Sequence, residues 1–470
     1  MPAPTRIIEK LEPYGQSHLL SFWDELSPQQ QQHLEAEISS VDFAQLQTLH
    51  RKAAASDTPW AEMADRAVSP PAVTLEDLKD PARSQTAKDA GEKALKSGEV
   101  GFILVAGGQG TRLGFDKPKG MYPIGPLSQR TLFQMMTDLV KARTQHYGKP
   151  IPLYLMTSPA THDDTKRHTH EESNFGLQDG DFQIFCQGTM PAVDHLTGNC
   201  LLKSKHELFL SPDGHGGLLK ALTASNCLAD AAQRGLKYLF YCQIDNPLAQ
   251  ICDPLLIGLH ILEKSQVTSQ VVRKHQPLQR VGNVVMIDNR VQIIEYSDLP
   301  EFNARQTTPD GSLKFWAGSI AVHVFDVSFL EHVATQIQSA EPLLPFHIAH
   351  KMVPYIDQTG QAVDPQQNNA FKFERFVFDL LPLAQRSIVV EVDPAEGFAA
   401  VKNAAPATTE TAETTQAAIV AQHKRWLMAA GVKVAENVKV EIHPSLAHDA
   451  DAVQAKLTQH APISADTYLT

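Results

Sequence analysis

The segment VGFILVAGGQGTRLG, from Val100 to Gly114, decides the fold because a short apolar run passes directly into a glycine-rich turn. The run Val100 to Val105 is typical of a strand in a buried sheet. Glycines let main-chain N–H groups approach phosphate oxygens closely, and the N-terminus of a following helix would add a favourable dipole. The segment therefore predicts a strand-to-helix turn that binds an anion.

The spacing of the glycines excludes two common phosphate-binding motifs. A P-loop requires GxxxxGK[ST] and the dinucleotide fingerprint requires GxGxxG, whereas Gly108, Gly110 and Gly114 are spaced GxGxxxG. Arg112 and Lys119 lie in the same short stretch, and two fixed cations suit the crowded charge of a triphosphate better than a single phosphate. The alternative is a structural turn with surface cations, and the combination of glycines and cations after a strand disfavours it.

Strand patterns alternate with helical patterns after this segment. The apolar runs Ile151 to Met156, Phe182 to Phe185 and Tyr238 to Tyr241 are separated by helical stretches. Such alternation predicts a mostly parallel sheet that is covered on both faces. Residues 282–295, with an Asp288-Asn289 turn at their centre, predict an antiparallel β-hairpin beside this sheet.

Three consecutive regions are expected along the chain. Residues 1–98 show helical spacing and no convincing strand, residues 99–389 form one large α/β domain, and residues 390–470 form a small C-terminal domain. The Ala-, Thr- and Glu-rich stretch 404–418 is expected to be an exposed connector. A helix is predicted over about Ile419 to Ala430.

Composition limits the classes of partner. A formal net charge of −12 at pH 7 argues against nucleic acid as the main partner, and no apolar run approaches the length of a membrane span. Five cysteines without CxxC spacing predict buried thiols in a reducing compartment, and neither disulfides nor structural zinc. We therefore expect a cytoplasmic protein. The cysteines are Cys186, Cys200, Cys227, Cys242 and Cys252.

The glycine segment and Pro118-Lys119-Gly120-Met121 closely resemble the signature of eukaryotic-type UDP-sugar pyrophosphorylases, and the nearest branch is UDP-N-acetylglucosamine pyrophosphorylase. The resemblance is collinear from about Val100 to Ala404. It continues through Gln187-Gly188, Pro212 to Gly217, Asp245-Asn246, Val281-Gly282, Glu295 to Ser297, Phe376 to Asp379 and Val401 to Ala404. It implies an α/β fold with a Rossmann-like, mostly parallel central sheet of the GT-A-like nucleotidyltransferase type. Residues 99–389 would be the catalytic nucleotide- and sugar-binding domain, between a helical N-terminal region and a small C-terminal α/β domain.

The reaction that the resemblance implies joins UTP to a sugar 1-phosphate and releases pyrophosphate. The attacking phosphate oxygen is already an anion, so catalysis requires alignment and charge stabilisation rather than a protein base. Arg112, Lys119 and Lys402 are the predicted catalytic residues. Asp245 follows the apolar run that begins at Tyr238, so it is placed at the carboxyl end of a strand and is the candidate ligand for Mg²⁺.

The resemblance also implies two groups of binding residues. The predicted nucleotide-binding residues are Val105, Ala106, Gly107, Gly108, Lys119, Gln187, Gly214, Asp245 and Lys372, with Gln187 and Gly214 at the uracil and the two lysines at the phosphates. The predicted sugar-binding residues are His215, Gly282, Glu295, Tyr296, Ser319 and Lys402. A Gln offers a donor and an acceptor to a pyrimidine edge, and a Glu can accept hydrogen bonds from two sugar hydroxyls.

Two departures leave alternatives for the sugar. The N-acetylglucosamine branch typically has Asn at the positions of His215 and Ser319, and the Gly-His-Gly pattern is closer to UDP-glucose and broad-specificity pyrophosphorylases. The expected substrate is N-acetylglucosamine 1-phosphate, with a UDP-glucose, UDP-galactose or broad-specificity enzyme as the alternative. Two further alternatives are a UDP-sugar-dependent glycosyltransferase and a non-catalytic sensor of UTP or UDP-sugar.

Overall fold

The computed structural model describes residues 2–54, 60–337 and 344–470. The chain forms two compact units, and each is assembled from three separate stretches of sequence. The smaller unit comprises Met1–Pro59, Gln187–Leu218 and Glu341–Asp379, and the larger comprises Trp60–Cys186, Leu219–Ala340 and Leu380–Thr470. This division into two units is a different one from the three consecutive regions expected above. Those three regions remain a prediction.

The larger unit is built on a 10-stranded sheet. Eight of its strands form a continuous path, in the spatial order Ala72–Val73, Ser387–Glu391, Val267–Arg273, Ala317–Asp326, Tyr238–Gln243, Val100–Val105, Leu153–Thr157 and Phe182–Cys186. Along this path only Ala317–Asp326 runs antiparallel to its neighbours, so the expected α/β fold with a mostly parallel central sheet is confirmed. Every residue of Val100–Val105 is buried, as a strand covered on both faces requires.

The remaining two strands form the predicted hairpin. Asn283–Ile287 pairs antiparallel with Arg290–Ile294, and Asn283 pairs with Gly318 near the start of the Ala317–Asp326 strand. Both turn residues, Asp288 and Asn289, have positive φ angles, which match the hairpin turn that the sequence predicts.

Helices cover the sheet of the larger unit. Leu132–Tyr147 shows why they form where they do: Thr131 and Gln134 make a reciprocal capping box at its start, and Gly148 ends it in a left-handed conformation. The other α-helices assigned wholly or mainly to this unit are Trp60–Arg66, Pro81–Lys96, Pro159–Glu171, Leu218–Ala224, Cys227–Gln233, Pro254–Leu262, Glu301–Ala304, Val327–Ile337, Pro394–Gly397, Ala412–Ala429 and Ala450–Leu457. Short 3₁₀ turns are Asp77–Lys79, Thr111–Leu113, Lys119–Met121, Ser173–Gly176, Asp179–Asp181 and Val377–Leu383, the last of which spans the boundary between units.

The C-terminal part of the larger unit corrects one expectation. The helix predicted near Ile419 begins at Ala412, so the second half of the expected connector is helical. Thr411 caps this helix through a capping box with Thr414, a signal that is concealed in the run of threonines. Beyond the helix, the strands Val440–Ile442 and Thr467–Leu469 pair in parallel.

The smaller unit combines N-terminal helices with short strands. Its helices are Thr5–Leu11, Pro28–Ser40 and Phe43–Ala54, with 3₁₀ turns at Glu12–Tyr14, Ser17–Leu20, Trp23–Glu25 and His215–Gly217. A three-stranded sheet joins His347–Lys351, Ala370–Glu374 and Val193–Asp194, and the two-stranded pairs are Thr189–Pro191 with Leu210–Pro212, Leu202–Ser204 with Glu207–Leu208, and Tyr355–Ile356 with Ala362–Val363. Apolar side chains from the helices and the three-stranded sheet, including Leu34 and Phe373, share one core.

The expectation that the first hundred residues lack a strand is wrong. The two-residue strand Ala72–Val73 pairs in parallel with Ser387–Glu391 at the edge of the large sheet. Two residues are too few for a periodic pattern, so only the distant partner strand reveals it. Among the described residues, no helix has the length and apolar character needed to cross a membrane.

Candidate active site

The glycine loop folds back on itself after the Val100–Val105 strand. The N–H of Gly110 donates to the carbonyl oxygen of Lys117 at 2.9 Å, and the N–H of Lys119 donates to the carbonyl oxygen of Gly108 at 3.0 Å. These two hydrogen bonds bring Lys119 back beside the glycines at the carboxyl end of the strand.

The helix expected directly after the glycines is absent. Within this described stretch, the chain forms only the 3₁₀ turns Thr111–Leu113 and Lys119–Met121 before the next α-helix starts at Leu132. A single turn aligns too few peptide groups for a sizeable dipole, so the attraction for an anion must come mainly from main-chain N–H groups and side-chain cations.

The glycines of the loop serve different purposes. A Cβ atom added at Gly110 would lie 2.7 Å from the carbonyl oxygen of Phe115, so the protein's own packing requires glycine there. A Cβ atom added at Gly108 would meet no atom within 4 Å. Gly108 therefore borders open space that a ligand could occupy.

Asp245 and Lys119 face each other at this end of the sheet. Asp245 follows the Tyr238–Gln243 strand, as predicted, and its Oδ2 lies 3.9 Å from the Nζ of Lys119. Their side chains are only 15% and 16% exposed. Burial lowers the pKa of Lys119, and Lys402 and Arg112 act in the same direction, while Asp245 and Glu410 oppose them. The two acids and the two other cations therefore lie close enough to Lys119 to act on its charge.

Lys402 joins this cluster through residues 401–411, which we call the C-terminal loop. The N–H of Val401 donates to the carbonyl oxygen of Asp245 at 2.8 Å, and the N–H of Ala404 donates to that of Arg112 at 2.9 Å. Burial acts to lower the pKa of Lys402, but the carboxylates of Asp245 and Glu410 outweigh this effect and raise the pKa. The loop thus places a charged lysine beside the magnesium candidate and the glycine loop.

Asn246 fixes the chain that leads into the C-terminal loop. Its Nδ2 donates to the carbonyl oxygen of Gly397 at 2.9 Å, and its Oδ1 accepts from the N–H of Ala399 at 3.0 Å. The residue is buried, so both hydrogen bonds are shielded from water. The sequence motif Asp245-Asn246 therefore combines a ligand candidate with an anchor that the sequence analysis did not assign.

Three predicted sugar-binding residues lie together at the base of the hairpin. The N–H of Ser319 donates to the carbonyl oxygen of Gly282 at 2.8 Å. A Cβ atom added at Gly282 would lie 3.2 Å from Oε1 of Glu295 and 3.7 Å from Cβ of Ser319. Tyr296 is 48% exposed, and its phenol is among the groups that raise the pKa of Lys402. The sugar-binding candidates therefore extend towards the phosphate cluster.

Lys274 is a buried cation that the sequence analysis missed. It follows the Val267–Arg273 strand, is 4% exposed, and donates from Nζ to Oδ1 of Asn283 and to the carbonyl oxygen of Pro277. Burial lowers its pKa to about 8. Because Asn283 follows Gly282, Lys274 holds the start of the hairpin; the only signal in the sequence is a lysine placed immediately after a strand.

The smaller unit contains the candidates for uracil contact. Gln187 is buried, and Gly214 has a φ angle of +83° and a main chain so close to Arg375 that a Cβ atom would lie 2.3 Å from the Arg375 carbonyl oxygen. The N–H of Arg375 donates in turn to the carbonyl oxygen of Asp213 at 2.8 Å. The main chain around Gly214 is thus fixed in a conformation that suits glycine.

His215 is held within the smaller unit by a hydrogen bond and aromatic contacts. Its Nδ1 accepts from the N–H of Val377 at 3.0 Å, and its ring centroid lies 5.3 Å from that of Phe376. Burial and the nearby His347 lower the pKa of His215 to about 4, so the ring is neutral near pH 7. A neutral ring with Nδ1 engaged leaves Nε2 as its potential donor.

Lys372 also belongs to the smaller unit. It lies on the Ala370–Glu374 strand, and its Nζ is 5.0 Å from the ring centroid of Phe209, a cation–π distance. Burial lowers the pKa of Lys372.

The predicted site residues thus form two sets, one in each unit. The larger unit holds Val105, Ala106, Gly107, Gly108, Arg112, Lys119, Asp245, Gly282, Glu295, Tyr296, Ser319 and Lys402, and the smaller holds Gln187, Gly214, His215 and Lys372. Within the described ranges, no group of three or more His, Cys, Asp or Glu side chains is arranged to hold a metal ion. Any metal at Asp245 would therefore need ligands from elsewhere.

Comparison with known proteins gives one consistent result. The family model described as UTP–glucose-1-phosphate uridylyltransferase matches residues 43–455. UDP-N-acetylhexosamine pyrophosphorylase-like protein 1 of Homo sapiens is 35% identical over 436 residues, which cover 90% of this chain and 85% of the human protein. UDP-N-acetylglucosamine pyrophosphorylase of Saccharomyces cerevisiae is 32% identical over 448 residues, which cover 92% of this chain and 93% of the yeast protein.

A solved structure agrees with the sequence relatives. The uridine diphosphate N-acetylglucosamine pyrophosphorylase of Trypanosoma brucei, in complex with an inhibitor, superposes with a TM-score of 0.82 at 25% identity and covers 100% of this chain and 98% of its own. The match extends over both units and includes the glycine loop, Asp245 and the C-terminal loop. The chain therefore belongs to the UDP-sugar pyrophosphorylase family, and it is a nucleotidyltransferase.

Proposed function

We propose that the protein transfers uridylyl from UTP to N-acetylglucosamine 1-phosphate, forming UDP-N-acetylglucosamine and pyrophosphate. The observation that carries the proposal is the cluster of Lys119, Asp245 and Lys402 beside the open space at Gly108. The names of the relatives from yeast and Trypanosoma brucei support the choice of sugar.

The charge of the cluster suits this reaction. A phosphate oxygen of the sugar 1-phosphate forms a bond to the α-phosphorus of UTP while the bond from that phosphorus to the β-phosphate oxygen breaks, and pyrophosphate leaves with its electron pair. No proton transfer is needed, so the chain has to align the reactants and stabilise negative charge. Lys119, Lys402 and Arg112 supply that charge.

The residues present fit a magnesium ion bound chiefly by substrate. Asp245 offers one carboxylate, and Mg²⁺ commonly takes one or two protein carboxylates and completes its shell with phosphate oxygens and water. Lys119 lies 3.9 Å from that carboxylate, a loose contact that leaves carboxylate oxygen for a metal. When bound, the ion would neutralise charge on the phosphates.

The roles of the remaining residues follow from the resemblance to the family, and their chemistry is compatible with those roles. Gln187 and the main chain at Gly214 contact the uracil, and Lys372 binds a UTP phosphate. Glu295 accepts hydrogen bonds from sugar hydroxyls, and Gly282 supplies a closely approachable main chain. His215, Tyr296 and Ser319 complete the set that contacts the sugar.

The cysteines support a reducing, cytoplasmic location. Cys200, Cys227, Cys242 and Cys252 are buried, and burial raises the pKa of each thiol, which keeps the thiols protonated and unreactive. Fractionation of cells that express the full chain should recover it with cytosolic markers; recovery with membranes or in the secreted fraction would contradict this location.

The reaction is tested by measuring pyrophosphate release from UTP and Mg²⁺ with a panel of sugar 1-phosphates. Release is expected with N-acetylglucosamine 1-phosphate, and EDTA should abolish it. Preferred release with glucose 1-phosphate or galactose 1-phosphate would replace the proposed sugar, as the departures at His215 and Ser319 allow. UTP binding without release for any member would favour a sensor, and sugar transfer to an acceptor without pyrophosphate would indicate a glycosyltransferase.

A further inference from the structure

Glu410 is a second acidic residue, besides Asp245, in the cluster that holds the candidate phosphate-binding cations. Its Oε1 lies 3.0 Å from the Nζ of Lys402. The negative charge of Glu410 also raises the pKa of Lys119 and so opposes the lowering by burial. A carboxylate beside two phosphate-binding candidates opposes the binding of a polyanion, so its position calls for a functional reason.

The backbone of the C-terminal loop holds Glu410 in this position. Its carbonyl oxygen accepts hydrogen bonds from the N–H groups of Lys402 and Asn403, at 2.7 Å and 2.9 Å. Its φ angle is +55°, a left-handed conformation that is unfavourable for a residue with a Cβ atom. The loop keeps this conformation and directs the carboxylate towards Lys402.

The ion pair is reachable from solvent. The side chains of Lys402 and Glu410 are 32% and 31% exposed, twice the exposure of Lys119 and Asp245. A pair that is partly exposed is weak and can exchange partners. A phosphate group carries more charge than a carboxylate and more acceptor oxygens, so it can displace Glu410 from Lys402.

We propose that Glu410 is a displaceable counter-ion that holds Lys402 until UTP or pyrophosphate binds and re-forms the pair when pyrophosphate leaves. Glu410 is thus a positioning residue that acts through Lys402. The role rests on the proposed function, in which Lys402 contacts a phosphate. It predicts that Glu410 weakens anion binding and speeds the release of product.

The test is Glu410→Gln in the full chain. Glutamine removes the charge but keeps a side-chain oxygen. The main-chain carbonyl oxygen of residue 410, which accepts from the N–H groups of Lys402 and Asn403, is unchanged. Inorganic pyrophosphate with Mg²⁺, measured by calorimetry, should bind on the order of 5-fold tighter, and the KM for UTP should fall together with kcat. Raising the ionic strength from 0.01 M to 1 M should reduce the difference, because salt screens partly exposed charges.

A matched control removes the same charge elsewhere. Glu436 is exposed, so Glu436→Gln should leave pyrophosphate affinity unchanged. In a Lys402→Met background, Glu410→Gln should lose its effect, since the counter-ion acts through that lysine. Glu410→Asn is a second neutral variant that tolerates the left-handed conformation, and it should also bind pyrophosphate more tightly.

Unchanged or weaker pyrophosphate binding in both neutral variants would overturn the proposal. So would an equal gain in the Lys402→Met background, because the effect would then not pass through Lys402. Pyrophosphate binding is measured without turnover. If the protein released pyrophosphate with none of the sugar 1-phosphates, the proposed function would be refuted, but the effect of Glu410 on pyrophosphate affinity could still be measured.

Discussion

The phosphate end and the sugar end of the larger unit hold their lysines in opposite ways. Lys119 and Lys402 lie near the carboxylates of Asp245 and Glu410, which counteract the effect of burial on their charge. Lys274, behind the hairpin, contacts only the neutral oxygens of Asn283 and Pro277 in the hydrogen bonds that the structure describes, and burial lowers its pKa to about 8.

This difference indicates separate tasks for the two ends. Lysines beside acids have a counter-charge that opposes the effect of burial, and they are available to an anionic substrate. A lysine that is buried against neutral oxygens is inaccessible and fixes the path of the main chain. We therefore expect changes at the phosphate end to alter rate and changes at the sugar end to alter stability and selectivity.

The largest effect is expected for Lys119→Ala. Removal of one preorganised cation from the charge that develops in the transition state should reduce kcat by about 10²–10³-fold. The melting temperature should change little, because the contact of Lys119 with Asp245 is a loose one, at 3.9 Å. Lys117→Ala, at an exposed side chain of the same loop, is the control and should retain activity. Full activity in Lys119→Ala would remove the phosphate assignment.

Lys274 gives a prediction about pH and stability. Its pKa is about 8 in the folded protein and 10.5 in the unfolded chain, so the unfolded chain binds more protons between these values. Stability contributed by this site should therefore be lowest below pH 8 and should rise by about 3 kcal/mol as the pH approaches 10.5. The measurement is the difference in unfolding free energy between wild type and Lys274→Met across this range. A difference that does not vary with pH would show that Lys274 is not the titrating group.

Two glycine substitutions contrast the ends directly. Gly108→Ala meets no protein atom, so we expect normal stability with a KM for UTP raised about 10-fold, from a clash with the ligand alone. Gly282→Ala places a Cβ atom 2.8 Å from Ile293 and 3.2 Å from Glu295, so the KM for the sugar 1-phosphate should rise instead. Steady-state kinetics with each substrate varied in turn gives the two KM values for each variant. If both variants changed the same KM value, the proposed difference between the two ends would be wrong.

The smallest effect is expected for His215→Asn in the smaller unit. The amide should favour an N-acetylated sugar over glucose 1-phosphate by several-fold, about the value of one hydrogen bond. The ratio of kcat/KM for the two sugar 1-phosphates is the measurement. The melting temperature should also be measured, because it would fall if the N–H of Val377 no longer had residue 215 as its acceptor. If that ratio stays constant, His215 does not determine specificity.

Local signals predicted the parts of the fold that local sequence controls. The Val100–Val105 strand has the predicted bounds, the hairpin turns at Asp288 and Asn289, and Asp245 follows its strand. In each case the deciding interaction lies within a few residues: burial periodicity, turn conformation or position at a strand end.

Contacts between distant segments could not be predicted in this way. The smaller unit joins the N-terminal helices to strands more than a hundred residues away, and no local pattern records which strands they meet. Glu410 lies in a polar stretch that has the composition of a connector, yet its charge matters only because the chain returns to Lys402. Lys274 is similar, since its role depends on Asn283.

The C-terminal loop is tied to Asp245 and Arg112 through backbone carbonyl oxygens, not through side chains. These attachments are therefore independent of the side chains at positions 402 and 410, provided that the residue at 410 tolerates a left-handed conformation. An engineer could exchange the side chain at position 410 and adjust how long the enzyme retains its anionic product while the loop keeps its attachments. The same independence would allow related enzymes to diverge in turnover by point substitution, without insertion, deletion or refolding of this segment.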